Sequence, residues 1–300
     1  MSHTSHPTLV SQSPLTWIAD GVLGVLRYVG GFAILLGAAA KSIARPTKPT
    51  RPLFWPAFRR QLSWMIGAGL PIVALVNVSL GSFLAMQAFY GATFTEAAGP
   101  VVGIGLFRNL SPMMAGFVLA GLLAARTTRE LKFAEKLGPD DDVRWIPGRV
   151  DSTSHSGESP HPADPARLAA VRIAAAAVAG PPLAILGACI GMTVGCGVAW
   201  SMLGVAAPVY FSKFYEMFWV RDVIGLVLKG VCFGGSAAAF ACYEGLRRPD
   251  EQDSASLATA SFRAVWFSAL SVLIMNLGWF VFAYLAGPPW GPTVLPAPGA

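Results

Sequence analysis

The sequence predicts an all-α membrane protein: about five transmembrane helices preceded by an N-terminal interfacial helix. Three observations carry this. Hydrophobic residues make up 54% of the 300 residues and charged residues only 13%, with mean hydropathy +0.55, whereas a soluble domain carries roughly 25% charge. Several stretches supply the roughly 20 apolar residues that a helix needs to cross a hydrocarbon core about 30 Å thick. Lys and Arg segregate to one side of the resulting topology. Apolar dominance excludes disorder for most of the chain. The Gly and Pro residues follow no Gly-X-Y period, which excludes collagen.

Residues 1–13 form a polar tail without the basic start of a signal peptide. Over 14–41, Trp17, Ile18, Val22, Val25, Leu26 and Val29 recur at helical spacing, with Asp20 and Arg27 interrupting. This suits a helix lying in the interface, with a short spanning helix as the competing reading. Residues 42–60 combine Arg45, Lys48, Arg51, Arg59 and Arg60 with prolines and aromatics. They are expected to be a non-helical basic connector at the headgroups, so 14–60 precedes a five-span domain at 61–287. Its spans are Leu62–Phe89, 99–125, one tilted span that shares the stretch 168–207 with a further segment, Val223–Leu246, and 264–286. A flexible cytoplasmic insertion is expected at about 139–163, and residues 288–300 are a Pro/Gly-rich tail. With the N-terminus in the cytoplasm, 18 of the 22 Lys and Arg fall inside.

The third span carries Gly187, Gly191 and Gly195, a repeated GxxxG that predicts close helix packing against an unspecified partner. The polar residues inside spans are Asn77, Gln87, Arg108, Asn109, Lys229, Glu244 and Asn276. Ionisable groups at membrane depth are costly, so Arg108 and Lys229 call for an anion, with a lipid phosphate as one candidate and structural bonding to carbonyls as the other. At 126–138, Leu131, Ala134 and Leu137 recur every three residues with Gly138 as a stop. This predicts a separate short amphipathic helix inside the membrane surface. The four cysteines form no CxxC pair and suit structural thiols, and the four histidines suggest no metal site. No Walker A, GxSxG or HExxH sequence occurs. Neither enzymatic activity nor a cofactor is therefore expected of this chain.

The order of these segments resembles the MlaE/YrbE family, permeases of lipid-handling ABC transporters that work with MCE-domain proteins. Gly81-Ser82-Phe83-Leu84-Ala85-Met86-Gln87 is similar to the family's Gly-x-x-Leu-Ala-Leu-Gln-like run. Leu106 to Pro112 is similar to its Arg-Glu-Leu-Gly-Pro. Thr128 to Gly138 resembles its Thr-Glu-Gln-Ile-Asp-Ala-Leu-Glu-x-Met-Gly, with Thr128, Glu135 and Gly138 matching. Asp164-Pro165, Arg167, Arg172, Asp222, Lys229, Phe233, Tyr243-Glu244-Gly245 and Arg263 extend the likeness over about residues 55–287.

The resemblance implies a five-span permease with an interfacial helix in the bacterial inner membrane, paired with a second permease copy or a paralogue. It implies a cytoplasmic ABC ATPase that binds the ATP. It places an MCE-domain protein on the outer face and a phospholipid between the permease copies. The lipid cavity would comprise Gln87, Arg108, Asn109, Lys229, Phe83 and Met86, with Leu106 and Met113 also facing acyl chains. ATPase coupling would fall to Thr128, Arg129, Glu130, Leu131, Phe133, Glu135, Leu137 and Gly138. The chain departs from the family pattern at Asn109 and Asn276, where acids are usual, and in the region of 126–163. Those departures favour the alternative of a non-transporting permease-like scaffold.

Overall fold

The computed structural model describes residues 14–44, 51–91, 98–136, 165–247 and 254–285. Among them the chain forms α1 (Pro14–Ala44), α2 (Arg51–Gly91), α3 (Ala98–Gly105), a π turn (Leu106–Leu110), α4 (Ser111–Lys136), α5 (Pro165–Leu203), α6 (Ala207–Met217), α7 (Val220–Leu246) and α8 (Ser254–Leu285). No strand occurs among the described residues. All-helical structure is what lipid demands, because a helix pairs its backbone groups within its own segment.

Among the described residues the expected spans all appear as helices, and six helices are long and apolar enough to cross a membrane. The sixth is α1, whose Val22–Ala44 stretch has 23 residues and mean hydropathy 1.8. It lies on α5 and α7 along one narrow seam. Tyr28 meets Tyr243 edge-on at 4.9 Å between ring centroids, and Phe32 stacks on Phe240 at 4.4 Å. Away from that seam Val25, Leu26 and Ile34 are exposed.

Two expectations need correction. The connector was expected to be non-helical through residue 60, but α2 begins at Arg51. Pro52 falls in the first turn, where an N–H has no intrahelical partner to lose. The segment 126–138 was expected to be a separate helix, but α4 runs unbroken from Ser111 to Lys136. Neither Gly nor Pro interrupts it after Gly121, and Arg126 and Glu130 brace consecutive turns at 2.5 Å. Leu137, Gly138 and the 139–163 stretch lie outside the described residues.

Helices α5 and α7 form the centre, with α2 packed on α5 and α4 on α7. Small residues let these backbones touch. A Cβ on Gly81 of α2 would stand 2.0 Å from the Gly191 carbonyl oxygen of α5, and one on Gly180 of α5 the same distance from the Gly230 carbonyl oxygen of α7. The GxxxG face therefore packs within the chain. Gly187 lies against Asn77 and Ser111, Gly191 against Leu106, and Gly195 against Val102. Gly204 ends α5 in the left-handed region at φ 65°, its N–H donating to the Trp200 carbonyl at 3.2 Å. The stretch 168–207, expected to hold one span plus a further segment, is instead a single helix as far as Leu203, and the chain then turns into α6, which begins at the end of that stretch. Tyr210 and Phe214 of α6 are buried, with the Tyr210 backbone against Gly99 and the Phe214 ring against Gly103.

Candidate functional site

The apolar helix that runs from α3 into α4 changes pitch at Leu106-Phe107-Arg108-Asn109-Leu110, where Ser111 N–H reaches back five residues to the Leu106 carbonyl. Pro112 contributes a local cause. In a regular α-helix the N–H of residue 112 would pair the carbonyl of Arg108, and proline has none. The Lys229 ammonium of α7 donates to that carbonyl at 2.6 Å. It donates also to Asn276 Oδ1 of α8 at 3.0 Å. Lys229 is only 6% exposed, and among the described residues no carboxylate lies within ion-pair distance of it.

The Arg108 side chain turns toward the start of α7. Its Nε lies 2.8 Å from Asp222 Oδ1 and its Nη2 3.0 Å from Asp222 Oδ2, the bidentate fork that guanidinium and carboxylate geometry favours. Nη2 also donates to the Met217 carbonyl at the end of α6, at 3.2 Å. Asp222 accepts from Trp219 N–H at 3.0 Å, capping α7. Arg221 lies over the Trp219 ring, 4.3 Å from its centroid, with Nε 4.0 Å from Asp222 Oδ1. One cluster thus ties the π turn to α6, α7 and α8.

Sequence reasoning singled out Arg108, Lys229 and Asn276 but not Asp222 as the partner of Arg108. A signal was present. Asp222 and Lys229 stand seven residues apart, two turns on one helical face, with buried Leu226 between them.

The other expected cavity residues lie elsewhere. Phe83 and Gln87 are exposed on the outward face of α2, in line with Ile72, Leu75 and Tyr90, and Met86 is half-buried beside them. Asn109 is half-buried on the π turn. Among the described residues neither Gln87 nor Asn109 makes a side-chain hydrogen bond. Leu106 is fully buried against Gly191, in the core and not on an acyl-facing surface. Met113 is half-buried.

The expected coupling residues divide between core and surface. Thr128 is buried, its hydroxyl donating to the Ala124 carbonyl and standing 2.9 Å from Ser261 Oγ of α8. Leu131 is buried against Gly245 of α7. Glu130 holds Arg126 at 2.5 Å and Arg172 of α5 at 2.8 Å. Arg126 in turn lies over the Trp64 ring of α2, 4.2 Å from its centroid. Arg129 is exposed, and Phe133 and Glu135 fall on the last turns of α4. Among the described residues no group of three or more His, Cys, Asp or Glu could hold a metal.

Comparison with known proteins points to a family of permeases. The profile of the family described as Permease MlaE matches residues 58–132 and 162–282. A probable ABC transporter permease protein of Rickettsia typhi is 28% identical over 252 residues, covering 83% of this chain and 89% of that protein. One from Rickettsia bellii is 27% identical over 262 residues, covering 86% and 93%. One from Synechocystis is 24% identical over 226 residues, covering 73% and 79%.

Proposed function

The chain belongs to the MlaE permease family, and we propose that it is the membrane subunit of an ABC-type phospholipid transporter. Two permease copies, or one with a paralogue, would enclose the lipid. A separate cytoplasmic ATPase would hydrolyse ATP, and an MCE-domain protein would exchange lipid at the outer face. The membrane is the bacterial inner membrane, with the N-terminus cytoplasmic.

The observation that carries this reading is the outward face of α2. Ile72, Leu75, Phe83 and Tyr90 are exposed at helical spacing, with the amide of Gln87 among them. An apolar strip holding one polar group suits acyl chains on one side and a second subunit on the other. The π-turn cluster, with Arg108 39% exposed, supplies positive charge for a headgroup. Coupling would pass through the end of α4, where Arg129 is exposed and Glu130 links α4 to α5.

Native mass spectrometry of the tagged full chain, purified mildly from its own host, tests the proposal. The expected complex contains two permease subunits, an ATPase, an MCE-type protein and bound phospholipid. Recovery with partners but without an ATPase would overturn it in favour of a scaffold.

A further inference from the structure

We propose that the π-turn cluster makes this permease select anionic over zwitterionic phospholipids. This rests on the phospholipid reading above and names the class of lipid. Arg108 and Arg221 lie beside one carboxylate, Asp222, and Lys229 adds a third cation through the Arg108 carbonyl with no carboxylate of its own among the described residues, a surplus of two positive charges. Both oxygens of Asp222 are already engaged by Arg108. The nearby Lys213 and Glu216 of α6 pair with each other at 3.2 Å and leave the surplus unchanged.

The surplus is distributed so that a lipid headgroup can meet it. Arg108 and Arg221 have side chains 39% and 38% exposed, at the end of the bundle where α6 turns into α7. Lys229 lies seven residues further along α7, about 10 Å at 1.5 Å per residue. Its two acceptors, the Arg108 carbonyl and the Asn276 amide, are dipoles without net charge. A buried ammonium without a counter-charge is costly, and an anion brought close in a poorly hydrated setting is correspondingly favoured. A phosphodiester headgroup with net charge −1 supplies that anion. A zwitterionic headgroup brings its own cation to the same place and forfeits most of the gain.

The full-length chain reconstituted in vesicles of equal phosphatidylglycerol and phosphatidylcholine, then mildly re-extracted, gives the bound-lipid ratio by native mass spectrometry. The expected ratio favours phosphatidylglycerol by about tenfold. Asn276→Asp sets a carboxylate against Lys229 and brings the ratio toward that of the vesicle. Asn276→Leu removes the amide without adding charge and keeps the enrichment. Arg221→Gln, at a partly exposed position away from the Lys229 contacts, lowers the ratio and serves should Asn276→Asp fail to express. Equal retention by the unaltered chain, or enrichment that persists in Asn276→Asp or Arg221→Gln, overturns the selectivity. Retention of neither lipid overturns the phospholipid reading itself. Excess inorganic phosphate is expected to leave bound phosphatidylglycerol in place; its displacement would assign the site to free phosphate and overturn the headgroup assignment.

Discussion

The Lys229 ammonium sits 2.6 Å from the Arg108 main-chain carbonyl, joining α7 to the π turn across 121 residues of sequence. It supplies the donor that Pro112 cannot. Lys229→Met removes the donor while retaining an unbranched side chain of similar length. The carbonyl is then left short of a partner inside the bundle, a loss of about 1–3 kcal/mol. The expected outcome is a lower unfolding midpoint of the purified full chain, followed by intrinsic fluorescence. An unchanged midpoint would mean that the carbonyl is satisfied in another way.

The role of Pro112 can be separated from that of Lys229. Pro112→Ala restores an N–H capable of bonding the Arg108 carbonyl along the helix. Lys229→Met is then expected to cost less in the Pro112→Ala background than in the unaltered chain. A double-mutant cycle on unfolding midpoints should return a coupling of about 1 kcal/mol. Strict additivity would remove the proline from the explanation of the π turn.

Asp222 serves two tasks, accepting from Trp219 N–H and pairing with Arg108. Asp222→Asn preserves shape and an acceptor for the cap but removes the counter-charge. Because Arg108 is partly exposed, the cost is expected at about 1–2 kcal/mol, below that of breaking a fully buried pair. Limited proteolysis should cut sooner in the α6–α7 connection, where Arg108 also holds the Met217 carbonyl. An unaltered cleavage rate would dissociate the ion pair from the anchoring of α6.

Gly81 and Gly67 lie on the same helix but face different surroundings. A Cβ at Gly81 collides with the Gly191 carbonyl oxygen, whereas one at Gly67 meets nothing within 4 Å. Backbone cannot yield as a side-chain tip can, so Gly81→Ala is expected to force α2 and α5 apart and lower the yield of folded protein in detergent. Gly67→Ala should be neutral or stabilising by up to about 1 kcal/mol. Size-exclusion profiles of the two variants decide the matter, with equal monodisperse yields counting against the close crossing.

The fold was largely legible because apolar length is written directly in the sequence. Leu62–Phe89 and Val223–Leu246 could be placed from hydropathy alone, whereas α6, starting where the apolar stretch 168–207 ends, was not anticipated. Gly187, Gly191 and Gly195 announced a close packing face, but their partner came from Gly81, which was noted for its motif and not for its size. The site was legible in part. Arg108 and Lys229 stood out because charge is rare in spans. Their partners did not, since Asp222 lies 114 residues from Arg108 and a main-chain carbonyl carries no sequence signal of its own. The last turns of α4 were misjudged because the charges that suggested a separate surface helix are engaged in holding one long helix in place. Glu130 takes up Arg126 and Arg172 together.

That engagement gives α4 the character of a lever. If the ATPase pushes on α4 near the exposed Arg129, Glu130 is the link through which the motion reaches α5. Glu130→Gln keeps the volume and removes the charge that holds Arg126 and Arg172. ATP hydrolysis by the assembled complex is expected to continue, while phospholipid moved per ATP falls several-fold. Paired measurement of phosphate release and lipid transfer between vesicles separates the two quantities. A parallel fall in both would place Glu130 in assembly with the ATPase, and no fall in either would shift the coupling to the residues beyond Leu131. The expected split follows from geometry, because Glu130 faces inward to α5 while Arg129 beside it is exposed.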